Sequence, residues 1–152
     1  MSVERWRRLL PGLWAGWLLC TALLATPAGF ALLDRAAAGR LAARMLAQEA
    51  YTSLALGVLM VVLERVAGRR GAAAGGSQFS GGLVLVLGAL FCTVAGYFAL
   101  QPMMPAARAG QGPLSFGQLH AASSVFYGLK CLLVLVLAWR AARPAALTPA
   151  SS

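Results

Sequence analysis

Charge is the scarcest property of this sequence. Only 11% of its 152 residues are Asp, Glu, Lys or Arg, while 60% are hydrophobic. A water-soluble domain carries about 25% charged residues, so this chain has too little polar surface to cover a core in water. Acids number four, with Asp34 the one aspartate and His120 the one histidine. A Ser–His–Asp set, an HExxH zinc helix and a phosphate-cradling GxxxxGK[ST] loop are all absent, and an enzyme is not expected. A single histidine cannot form a bis-histidine haem site, and no cofactor is expected. Cys20, Cys92 and Cys131 show no CxxC spacing, which excludes a zinc ribbon, a redox motif and a disulfide framework.

What is present is long uncharged runs and a mean hydropathy of +0.75, so the solvent is the lipid bilayer. The net charge of +9 would otherwise suggest nucleic acid, but the arginines lie in short clusters between apolar runs, where they anchor helix ends to headgroups. Nucleic acid is therefore not expected as a partner.

A helix needs about 20 residues to cross the hydrocarbon, and four runs qualify, near 9–33, 47–66, 83–104 and 116–139. The first is longer than the apolar region of a secretory signal and is kept as a span, with Pro27 kinking its far end. The second takes in Glu49 and Glu64, placed at its two ends. Residues 34–44, with Arg35, Arg40 and Arg44, read as an amphipathic helical connection on the membrane surface, and 68–82 as a flexible Gly-rich loop. The expected fold is all-α, an integral membrane four-helix bundle over 1–143 followed by a disordered tail, 144–152. Eight arginines fall on the side of both termini and the 68–82 loop, against four on the other, which puts both termini in the cytoplasm. Trp6, Trp14, Trp17 and Trp139 read as an aromatic belt at that face.

Two spans carry a polar stripe at helical spacing. In the fourth it is His120, Ser123, Ser124, Tyr127, Lys130 and Cys131; in the second, Glu49, Thr52, Ser53, Gly57, Met60 and Glu64. Lipid offers no hydrogen bonds, so the stripes must face each other. They serve either as helix–helix glue or as a functional site, the latter because a mid-span charge is costly. The expected pairs are Lys130 with Glu64 and His120 with Glu49, matched by depth. Cys20, Cys92 and Cys131 share a level, and Met103, Met104 and His120 lie together near the other face; these are the candidate soft-metal ligands. Gly88, Cys92 and Gly96 form a small-residue ridge for a close helix partner, within the chain or in a homodimer.

The segments TPAGFALLDRAAAGRLAARMLAQEAY (26–51), GYFALQPMM (96–104) and SFGQLHAASSVFYGLKCLLVL (115–135) resemble the bacterial domain-of-unknown-function 4149 family, which is similar to eukaryotic transmembrane protein 205. The resemblance runs from about Leu10 to Trp139 and is most specific around Leu119 and His120. It implies a four-helix membrane protein with no catalytic residues to carry over. The function expected is that of a multi-pass bacterial inner-membrane protein, structural or accessory; the alternative is a small transporter or a soft-metal (copper-like) handling protein.

Overall fold

The computed structural model describes residues 3–73 and 80–143. Among them there is no β-strand, and four helices are long and apolar enough to cross a membrane: Val3–Leu32, Arg35–Arg70, Gly81–Arg108 and Phe116–Ala142. The expected tail at 144–152 lies outside the described residues, as does the middle of the expected 68–82 loop.

Short polar residues start each later helix. Leu33 is extended, and Asp34 Oδ1 accepts the backbone N–H groups of Ala36 and Ala37, both at 2.9 Å, filling donors that a helix start leaves orphaned. Ser80 caps the third helix through Leu83 N–H at 3.0 Å. Ser115 and Gln118 form a capping box at the fourth.

The second helix corrects two expectations. It runs unbroken from Arg35 to Ala73, 39 residues, or about 58 Å at 1.5 Å per residue. Residues 35–44 are therefore its opening turns instead of a separate surface helix. Gly68, Arg69 and Arg70 continue its other end, where a loop was expected. Alanine is the strongest helix former, and the Ala-rich stretch after Asp34 has no Pro to interrupt it. Glu49 thus stands well inside the helix, far from the end where the 47–66 span had placed it.

Pro27 and Pro102 both follow a stretch of π-helix, Cys20–Ala25 and Val94–Ala99 respectively. Proline has no N–H and its ring clashes with the carbonyl four residues back; the wider π turn accommodates this and displaces carbonyls from the regular ladder. Thr26 turns both its N–H and its hydroxyl onto the Thr21 carbonyl, the latter at 2.8 Å. The fourth helix serves the neighbourhood of both π turns: the Tyr127 hydroxyl donates to Leu18 O and the Ser123 hydroxyl to Gly96 O, each at 2.9 Å.

Each helix packs on its sequence neighbours, and the fourth closes the ring against the first, leaving the second and fourth on the diagonal. Buried clusters fill the centre, one of Trp14, Ala15, Leu18, Ala89 and Val134, another of Leu10, Met60, Val86 and Leu137. The outside is apolar too: Leu23, Leu24, Val84, Phe91 and Val125 are all more than 60% exposed, as a lipid-facing surface requires.

The Gly88–Cys92–Gly96 ridge is filled from within the chain. A Cβ on Gly88 would meet Leu133 at 3.1 Å, and one on Gly96 would meet Phe126 Cβ at 2.7 Å. The fourth helix of the same chain therefore packs against both glycines of the ridge.

Candidate functional site: a buried ion pair across the bundle

Lys130 stands ten residues from His120 and ten from Arg140, about 15 Å from each along the helix, which is near the middle of a hydrocarbon layer about 30 Å thick. Helical side chains lean toward the helix N-terminus, so Lys130 reaches toward the Asp34 end of the bundle. There its Nζ lies 2.8 Å from both carboxylate oxygens of Glu49. The side chains are 4% and 2% exposed. This is the central correction to the pairing read from the sequence: Lys130 meets Glu49, not Glu64, and it does so across the diagonal of the four-helix ring.

The pair is embedded in a short network. The Ser53 hydroxyl, one turn along from Glu49, donates to Glu49 Oε1. The Trp14 indole N–H donates in turn to Ser53 Oγ at 2.9 Å. On the other side the Lys130 ammonium sits 4.6 Å from the centre of the Tyr127 ring, a cation–π contact. Three helices thus contribute: the first through Trp14, the second through Glu49 and Ser53, the fourth through Lys130 and Tyr127. Among the described residues, no buried side-chain nitrogen or oxygen lacks a hydrogen-bond partner.

Glu64 belongs to a separate cluster at the end of the bundle where residues 3 and 143 lie. Arg7 grips it with Nε on Oε1 at 2.9 Å and a second nitrogen on Oε2 at 3.1 Å, the bidentate fork that suits guanidinium to carboxylate. The Ser80 hydroxyl also donates to Glu64 Oε2, and Arg7 and Arg8 both reach Glu4. This cluster ties the start of the first helix to the junction of the second and third.

The remaining stripe residues disperse. His120 is exposed and stacks on Phe116 with ring centres 5.8 Å apart, so it does not pair with Glu49. Ser124 is exposed and bonds the His120 carbonyl of its own helix at 2.8 Å, and Thr52 is exposed. Of the candidate soft ligands, Cys20 is exposed, Cys92 buried and Cys131 half-buried; Met103 is exposed and Met104 buried. Among the described residues, no group of three or more His, Cys, Asp or Glu side chains gathers in a way that could hold a metal. Equal depth in the bilayer did not become equal facing.

Sequence reasoning missed two participants. Trp14, read as part of the interfacial belt, is fully buried, whereas Trp6, Trp17 and Trp139 are 37%, 41% and 69% exposed. Its signal was available, since Leu10, Trp14 and Leu18 repeat at i, i+4, i+8 and mark the buried face of the first helix. Arg7 was read only as a headgroup anchor.

Compared with known proteins, residues 9–112 match the model of a family described as a domain of unknown function, DUF4149. That is about two thirds of the chain, covering the first three helices with Trp14, Glu49 and Ser53 and stopping before the helix that carries Lys130. No curated protein and no solved structure matches the chain.

Proposed function

We propose that this chain, which belongs to the DUF4149 family, is a structural or accessory subunit of the bacterial inner membrane, with both termini in the cytoplasm. The observation that carries the reading is the Glu49–Lys130 pair. Its two charges are buried, hydrogen-bonded to each other and braced by Ser53, Trp14 and Tyr127. A pair of this kind fixes which helix faces which and in what register, the best-attested use of buried polar groups. The closed, satisfied geometry suits a rigid scaffold more than a path along which a solute would have to displace the pair. The topology rests on the arginine count, eight on the side of the termini against four. The likeness to eukaryotic transmembrane protein 205 belongs to the same reading and rests on the resembling segments alone.

The alternative, a small transporter or soft-metal handling protein, draws on the same pair, because ionisable residues at mid-bilayer mark solute and proton paths. One experiment separates them. The protein is purified in native-lipid particles for mass spectrometry and also reconstituted into liposomes for proton, metal and solute flux. A stoichiometric partner subunit with no Lys130-dependent flux supports the accessory role. Flux that disappears in Lys130→Met refutes it in favour of transport. For topology, single cysteines at Arg69 and Gln111 in a cysteine-free background should label from the cytoplasm and the periplasm respectively; the reverse pattern overturns the orientation.

A further inference from the structure

Every acid of the chain is engaged. Glu4 pairs with Arg7 and Arg8, Glu64 with Arg7, Glu49 with Lys130, and Asp34 caps the second helix. Among the described residues no carboxylate is left for Arg44. This residue is exposed and lies five positions from Glu49 toward the Asp34 end, about 8 Å along the helix. The hydrocarbon half-thickness is about 15 Å, and an arginine covers the remaining distance by snorkelling toward the headgroups. Its counter-charge must come from outside the chain.

The surface around Arg44 is shaped for such a guest. Arg44 and Gln48 line a cavity of about 440 Å³ that runs along the second helix to Thr52 and includes Trp17 and Tyr51. Tyr51 also lines a second cavity of about 400 Å³, with Tyr97 and Gln101. Its ring packs edge-on against Phe98 at 5.4 Å, and Phe98 against Tyr97 at 5.1 Å, so the wall between the cavities is braced. Polar donors cluster toward the headgroup level, and aromatic surface lies toward the bilayer centre.

We propose that the first of these cavities binds one anionic phospholipid, with the headgroup phosphate held by Arg44 and Gln48 and an acyl chain laid along Trp17 and Tyr51. The guanidinium offers a planar fork of donors that matches phosphate oxygens, and the Gln48 carboxamide adds a neutral donor. A headgroup of net charge −1 fits best: Arg44, the one cation that lines the cavity, takes the phosphate, and the ammonium of a zwitterionic lipid would find every Asp and Glu already committed.

Native mass spectrometry of the delipidated full chain, titrated with phosphatidylglycerol, tests this. Wild type should retain one lipid most tightly, and phosphatidylcholine should bind at least about fivefold more weakly. Arg44→Gln should lose about tenfold in phosphatidylglycerol affinity and Arg44→Lys less, while Arg40→Gln, whose side chain lines neither cavity, should match wild type. Inorganic phosphate should not displace the lipid, since it lacks the acyl chain. Circular dichroism checks that Arg44→Gln is folded; the exposed site predicts that it is. Equal phosphatidylglycerol binding by wild type and Arg44→Gln, equal affinity for phosphatidylcholine, or displacement by free phosphate would each overturn the proposal.

Discussion

Replacing Lys130 with methionine keeps most of the side-chain volume and removes the charge, so the effect reports on the ion pair. Charges 2.8 Å apart attract by about 6 kcal/mol at an effective dielectric constant of 20. Both also lose their hydration, so the net value of the intact pair is far smaller. The single variant keeps the burial of Glu49 while losing its cation, and a broken buried pair costs about 3–5 kcal/mol. Glu49→Gln should cost a similar amount, because it leaves the ammonium buried with only neutral partners. The double variant removes both charges and should recover most of the loss, ending within about 1–2 kcal/mol of wild type, since no uncompensated charge stays buried and the new carboxamide keeps the Ser53 hydroxyl as a partner. Reversible unfolding of the four proteins in mixed micelles gives the coupling energy directly. These figures imply a coupling of about 4 kcal/mol or more, above the range of about 0.5–3 kcal/mol usual for groups in contact. If the two single changes simply add, to within about 0.5 kcal/mol, the pair does not hold the diagonal of the bundle and the reasoning fails.

Steric predictions bear on the close helix contacts. A Cβ on Gly57 would run into Leu90 Cδ2 and meet its Cγ at 2.8 Å, whereas Gly12 and Gly16 have nothing within 4 Å. Gly57→Ala should therefore destabilise by about 1–3 kcal/mol from overpacking, and Gly16→Ala should be neutral or slightly stabilising in the same unfolding assay. Tyr127→Phe removes the bond to the Leu18 carbonyl beside the first π turn and should cost about 1 kcal/mol; hydrogen exchange should rise locally at residues 20–25, and an unchanged pattern there would count against that bond. Trp14→Phe removes the indole donor to Ser53 and part of a fully buried ring and should cost more, about 2–3 kcal/mol, with the Glu49–Lys130 coupling largely retained, because Ser53 still donates to Glu49. Glu64→Gln leaves Arg7, which is 26% exposed, able to reach water, so its cost should fall clearly below that of Glu49→Gln.

The number of spans and their approximate centres were legible in the sequence, because hydropathy is a local property that lipid enforces. Of the two stripes, only Glu49 and Lys130 meet across the diagonal, while Thr52, His120 and Ser124 are exposed. The partner of Lys130 was not legible. That choice depended on where the second helix begins: starting it at 47 put Glu49 at an edge beside His120, while the continuous helix from Arg35 carries Glu49 to the level of Lys130. Periodicity fixes which face a residue occupies but not how far one helix slides against another, and a slide of one or two turns exchanges every partner. The lipid-facing or core-facing fate of Trp14, the filling of the Gly88–Gly96 ridge by Leu133 and Phe126, and the scattering of Cys20, Cys92 and Cys131 were settled in the same way, by rotations and offsets that only side-chain packing between helices determines.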